Sequence, residues 1–238
     1  MDSHWIYLAL NLGTISIPLL ASFYPKFPFY KHFLSYAKAV IPVAIFFVLW
    51  DIWFTDIGVW GFNSKYLLGI HINNLPLEEV LFFLCIPFAC TFTYFTMHFF
   101  LPTKKHGDTL LKWAGYFGVF LIVWGLLNIQ QWYTFSSFFL CGLFLVYIGW
   151  VEKPLWWKQF FVSFMLCMIP FYLVNGILTG SLVSEQVVWY SDQENLGIRF
   201  FTIPLEDHSY ALLLLGLNVL LFEKFSGFSK KLDNTKTR

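Results

Sequence analysis

Seven apolar runs dominate this chain, at 5–23, 36–55, 76–100, 111–128, 132–151, 156–178 and 203–222. Most approach the roughly 20 residues that a helix needs to cross a bilayer core; the run at 111–128 is the shortest. Between them lie polar or turn-forming segments such as Tyr24-Pro25-Lys26, Pro102 to Asp108 and Glu152-Lys153-Pro154. The pattern predicts an all-α membrane protein of seven transmembrane helices. Composition agrees: 58% of residues are hydrophobic and 12% charged, where a soluble domain carries about 25% charged. A net charge of +1 offers no field for nucleic acid. Cys85, Cys90, Cys141 and Cys167 all fall inside apolar runs without a C-x-x-C pair, and read as packed thiols. The start Met1-Asp2-Ser3-His4 lacks the basic flank of a signal peptide, so the first run is expected to be retained.

Seven spans put the two ends on opposite sides, and the lysines and arginines choose between them. Lys26, Lys31, Lys38, Lys104, Lys105, Lys112, Lys153, Lys158, Lys224, Lys230, Lys231, Lys236 and Arg238 share one side, against Lys65 and Arg199 on the other. The expectation is a cell-membrane protein with its N-terminus outside and its C-terminus cytoplasmic. The basic tail, 226–238, is expected to be a disordered end near anionic lipid.

Five carboxylates fall within the runs: Asp51, Glu78, Glu79, Glu206 and Asp207. A charge at the bilayer centre costs about 2.5–3.5 kcal/mol on insertion scales, so intramembrane acids are functional candidates. The plainer reading of Pro76-Leu77-Glu78-Glu79 is a helix start, with proline first and acids in the first turn. Pro204-Leu205-Glu206-Asp207 has the same form, and recurrence at matching places weakens that plainer reading.

One offset, 128 residues, aligns Leu68-Gly69-Ile70 and Leu75-Pro76-Leu77 with Leu196-Gly197-Ile198 and Ile203-Pro204-Leu205. Upstream, Trp60 corresponds to Trp189 if one residue is skipped. The chain therefore reads as an internal repeat: 1–105 with three helices, a linker helix in 106–130, and 131–225 with three more. Three is odd, so the linker span is needed to make the repeats parallel. Both acidic motifs, with Asp51 and Asp56, then lie in one layer near the outer face.

At these residues the chain resembles the lycopene cyclase domain family, the small membrane type found as paired subunits or as a fusion. The resemblance rests on Trp60-Gly61-Phe62-Asn63, on Leu75-Pro76-Leu77-Glu78-Glu79 followed by Phe82-Phe83, on Val174-Asn175-Gly176 with Leu178-Thr179, on Val188-Trp189-Tyr190, and on Ile203-Pro204-Leu205-Glu206-Asp207. It implies a fused cyclase acting on lycopene, or a related lipophilic polyene, to form β-ionone rings (β-carotene or γ-carotene). It implies a lipid bilayer as surroundings and leaves open contacts with other carotenoid enzymes. No cofactor is expected, since the chain has no G-x-G-x-x-G for a dinucleotide.

Such a cyclisation changes no oxidation state. A proton adds to a terminal alkene, an internal double bond captures the cation, and another proton leaves. The acids that suit this are Glu78, Glu79, Glu206 and Asp207, one of each pair facing the cavity because neighbours on a helix point about 100° apart. In support stand Asp51, the rings of Trp60, Phe82, Phe83, Trp189 and Tyr190, and the polar groups of Asn63, Asn175 and Arg199. An aromatic face stabilises a cation by roughly 0.5–2 kcal/mol, although Trp and Tyr also belt membrane interfaces. Arg199 is a candidate partner for Glu206 or Asp207, His71 and His208 are candidate proton relays, and His98 reads as interfacial. No metal is expected, because no H-x-x-x-H or comparable ligand spacing occurs.

A small-solute transporter with a 3+1+3 helix layout is the main alternative, and Pro42 and Pro170 are its expected helix breaks. A retinal protein needs a lysine within the last span. The run at 203–222 has none.

Overall fold

The computed structural model describes residues 3–101 and 109–229. Seven α-helices carry it: α1 (Ile6–Ala21), α2 (Phe33–Asp56), α3 (Leu77–Phe100), α4 (Thr109–Leu127), α5 (Trp132–Val146), α6 (Trp157–Leu178) and α7 (Glu206–Ser226). Six are long and apolar enough to cross a membrane, and α1, at 16 residues, is shorter. At 1.5 Å per residue it spans about 24 Å, under a hydrocarbon core of about 30 Å. A π-helical turn, Tyr147–Glu152, prolongs α5.

Short strands occupy the connections where the sequence shows no strand-length pattern: β1 (Trp60–Phe62), β2 (His71–Ile72), β3 (Leu75–Pro76), β4 (Val188–Tyr190), β5 (Arg199–Phe200) and β6 (Ile203–Pro204). β2 pairs with β3 and β5 with β6, each antiparallel. β1 pairs with β4, which joins the two repeats.

The repeats interleave. In each, the first helix packs on the third, α1 on α3 and α5 on α7. The second helix packs mainly across the boundary, α2 on α7 and α6 on α3. Neither three-helix set therefore buries its own apolar faces. The linker helix α4 lies against α5, and a Cβ placed on Gly118 would meet the Gly142 carbonyl oxygen at 2.7 Å. Small residues allow that approach, as in other membrane helix pairs. The buried centre is largely aromatic; Phe29 alone has its ring against Phe88, Phe92, Phe95 and Phe222.

Three expectations need correction. Pro42 and Pro170 do not break their helices, since α2 and α6 run through them, so the transporter's expected breaks are missing. Lys224 falls inside the last helix, because α7 continues to Ser226; it is exposed, with Nζ 3.4 Å from the Tyr147 hydroxyl. The tail does not leave the body at Ser226. Gly227 caps α7 at φ 58, Phe228 stacks on Phe95 at 4.5 Å, and Ser229 donates through its hydroxyl (2.6 Å) and its amide (3.1 Å) to Glu223. From 230 onward the tail lies outside the described residues, as does 102–108 with Lys104 and Lys105.

Candidate active site

Two copies of one local device hold the acids. The turns before α3 and α7 place Gly69 and Gly197 at φ 82 and 67, a region that costs a Cβ-bearing residue strain. The strands then return in the same register, His71 opposite Pro76 and Arg199 opposite Pro204. Pro76, at φ −65, starts α3 with Glu78 and Glu79 in its first turn; Glu206 and Asp207 open α7.

Glu78 turns back onto this device. Its Oε1 accepts the backbone N–H of Leu68 at 2.7 Å. Glu206 accepts the N–H of Leu196 at 2.9 Å and the Thr134 hydroxyl at 2.6 Å. Both side chains are fully buried, and neither lines the large cavity. Asn11 adds a bond to the Glu78 carbonyl, 2.7 Å.

Glu79 and Asp207 point the other way, into the interior. Glu79 accepts from the Tyr7 hydroxyl at 2.5 Å and borders the same cavity as Asp51. Asp51 accepts from the Tyr210 hydroxyl at 2.9 Å. Asp207 accepts from the hydroxyl of Tyr133, from Tyr190 at 3.2 Å and from the Asn175 amide at 3.3 Å. Tyr190 lies on β4, outside the helices. Burial, then the neighbouring Asp207 and Glu79, push its hydroxyl well above the ordinary tyrosine range, so it stays a donor.

The β1–β4 ladder crosses between the repeats beside these acids. Trp60 faces Tyr190, Gly61 faces Trp189 and Phe62 faces Val188. This corrects the one-residue gap read from sequence. Around β1 and β4 the offset of 128 continues, with Asn63 N–H bonded to the Val187 carbonyl and Ser191 N–H to that of Val59, so the counterpart of Trp189 is Gly61 and that of Trp60 is Val188. Sequence matching paired the two tryptophans by identity, whereas backbone pairing puts the indole of Trp189 against the one position with no side chain. A Cβ on Gly61 would come within 2.4 Å of that ring.

The carboxyls of Asp51, Glu79 and Asp207 border a single cavity of about 590 Å³. Trp60, Phe62, Phe82, Tyr7, Tyr133 and Tyr210 line the same end. Away from the acids the walls become largely apolar, with Ile86, Ala89, Met168, Phe171 and Leu214. Ile17 of α1 and Leu173 of α6 stand on the wall and are 77% and 59% exposed, so the cavity opens sideways between those helices. The equivalent gap between α5 and α2 has Trp132 against Trp53, ring centroids 5.4 Å apart.

Of the residues singled out from sequence, Glu79, Asp207, Asp51, Trp60, Phe82, Asn175 and Tyr190 meet at this cavity. Phe83 is buried against Phe47, outside the lining. Trp189 is 42% exposed, on the far side of the ladder. Asn63 donates to Glu185 at 2.9 Å, on the surface. Arg199 pairs with Asp192 at 2.7 Å and not with Glu206 or Asp207. Its strand register aims it along the surface, while both acids have turned inward. His71 is exposed, and His208 bonds the Tyr172 hydroxyl at 3.0 Å beside a separate apolar groove. His98 is buried rather than interfacial, with Tyr94 and Phe228 against its ring. The sequence reading missed Tyr7, Tyr133 and Tyr210. Tyr7 and Tyr133 each stand second in the first helix of their repeat, but the offset of 128 sets Tyr7 against Phe135 and Tyr133 against Trp5, so only the helix starts reveal them as a pair.

Carboxyls at one end, apolar walls and a lateral opening give this cavity room for a lipophilic molecule beside groups able to exchange protons. The sequence model described as lycopene cyclase matches residues 4–97 and 130–225. This chain belongs to the lycopene cyclase family, whose membership makes it a carotenoid cyclase in a multi-pass membrane setting. No curated protein and no solved structure gives a significant match.

Proposed function

We propose that the protein closes the ends of lycopene into β-ionone rings by proton transfer alone. The observation that carries this is the pairing of Glu79 and Asp207 at one end of an otherwise apolar cavity that opens toward lipid. An end of the polyene enters between α1 and α6, and the rest of the chain stays in the membrane. A carboxyl protonates the terminal double bond. The tertiary cation is captured by the next suitably placed double bond, which forms the ring, and the new cation loses a proton to a second carboxylate. Trp60, Tyr133 and Tyr210 bring aromatic rings to this end, and an aromatic face attracts a cation. Fixed dipoles and acids in a site without water act more strongly than in solution.

The cavity holds one set of acids drawn from both repeats, so a molecule with two open ends is cyclised one end at a time. The lysine distribution supports a site layer toward the outside of the cell membrane, with the C-terminus in the cytoplasm. Expression in a bacterium that accumulates lycopene tests the reading. Mono- and bicyclic β-ring carotenes are expected. Unchanged lycopene beside correctly inserted protein overturns it.

A further inference from the structure

The two acidic halves of the site are related by the repeat but not equivalent in their partners. Glu79 and Asp207 correspond at the offset of 128 residues. Asp51 lies within α2, and the corresponding helix α6 has no carboxylate among its residues, so only the first half has a second carboxyl. At the same offset Tyr190 corresponds to Phe62 and Tyr210 to Phe82, and with Asn175 of α6 the second repeat supplies the additional polar donors.

Counting donors separates the halves. Asp207 is one carboxyl with three donors from protein, the hydroxyls of Tyr133 and Tyr190 and the amide of Asn175. Asp51 and Glu79 are two carboxyls with two donors, Tyr210 and Tyr7, and they border one end of the same cavity. Two carboxyls buried together with so few donors repel as bare anions and are relieved when they share a proton. Three donors around a single carboxyl satisfy an anion, as in other charge-assisted arrangements.

We propose, resting on the cyclase reading above, that the halves have divided the labour. Asp51 and Glu79 jointly hold one proton and deliver it to the terminal alkene, and Asp207 is the carboxylate that takes the proton released on ring closure. Each ring takes one proton from the pair and leaves one on Asp207. Returning it to the pair restores the site with no net uptake from water and no redox partner. Asp51 is then a catalytic residue without a counterpart in the second repeat, and one centre serves both ends of the substrate.

Infrared spectroscopy of the purified protein, with exchange into heavy water to mark protonated carboxyls, tests this without substrate. Asp51→Asn and Glu79→Gln are each expected to remove a protonated-carboxyl band. Asp207→Asn is expected to keep that band and to lose carboxylate absorption. Loss of the protonated band in Asp207→Asn, or its survival in both other variants, overturns the assignment. Tyr133→Phe combined with Tyr190→Phe keeps all three acids and guards against misfolded amide variants. It is expected to shift carboxylate absorption alone, and a shift of the protonated band instead also overturns the assignment. Absence of ring formation by the unaltered protein in lycopene-producing cells overturns the cyclase reading, whichever way the bands fall.

Discussion

Glu78 and Glu206 each accept a backbone N–H from ten residues upstream, Leu68 at 2.7 Å and Leu196 at 2.9 Å. These bonds fasten the turn before α3 or α7 to the helix start and leave the next residue, Glu79 or Asp207, to face the cavity. Neighbouring acids thus have different work because the helix turns about 100° between them.

The first prediction concerns that division. Glu78→Ala leaves the Leu68 amide without its partner inside the protein, a cost of about 1–3 kcal/mol. Thermal unfolding in detergent should fall accordingly, while Glu79→Gln should unfold close to the parent and lose most ring formation. Equal stability loss in the two variants counts against it.

A second prediction follows from unequal donors. Tyr7→Phe removes the one tyrosine hydroxyl bonded to Glu79, whereas Tyr133→Phe leaves Asp207 with Tyr190 and Asn175. Turnover should drop more for Tyr7→Phe, on the order of tenfold, a difference of about 1.4 kcal/mol. Pigment accumulation per inserted protein measures it.

The ladder supplies a third. Gly61→Ala places a methyl group 2.4 Å from the Trp189 ring, and overpacking of this kind costs about 1–3 kcal/mol. The cost should shrink when Trp189 is replaced by Ala in the same chain. A double-mutant cycle on the unfolding midpoint reads that coupling; simple additivity refutes the contact.

Interleaving gives the fourth. Because α2 packs on α7 and α6 on α3, 1–105 and 106–238 expressed as separate chains should co-purify when made together. Either piece made alone should aggregate or be degraded. Independent folding of 1–105 would show that the boundary packing is dispensable.

The sequence by itself determined the helices and the repeat. Long apolar runs allow no other structure in lipid, where every backbone polar group must be bonded within its own segment. The recurrence of Leu-Pro-Leu-Glu-Glu as Ile-Pro-Leu-Glu-Asp brought the four acids to notice for the same reason, since carboxylates among such residues are costly. Only the tertiary structure decided which acid of each pair meets the cavity, that Tyr7 and Tyr133 hold those two acids while Tyr210 holds Asp51, and that Arg199 turns to Asp192 instead. Asp51 and Glu79 share one cavity only because α2 packs on α3. Periodicity records what one helix buries, but contacts between distant segments depend on how the interleaved repeats rotate against each other, and no local pattern encodes that rotation.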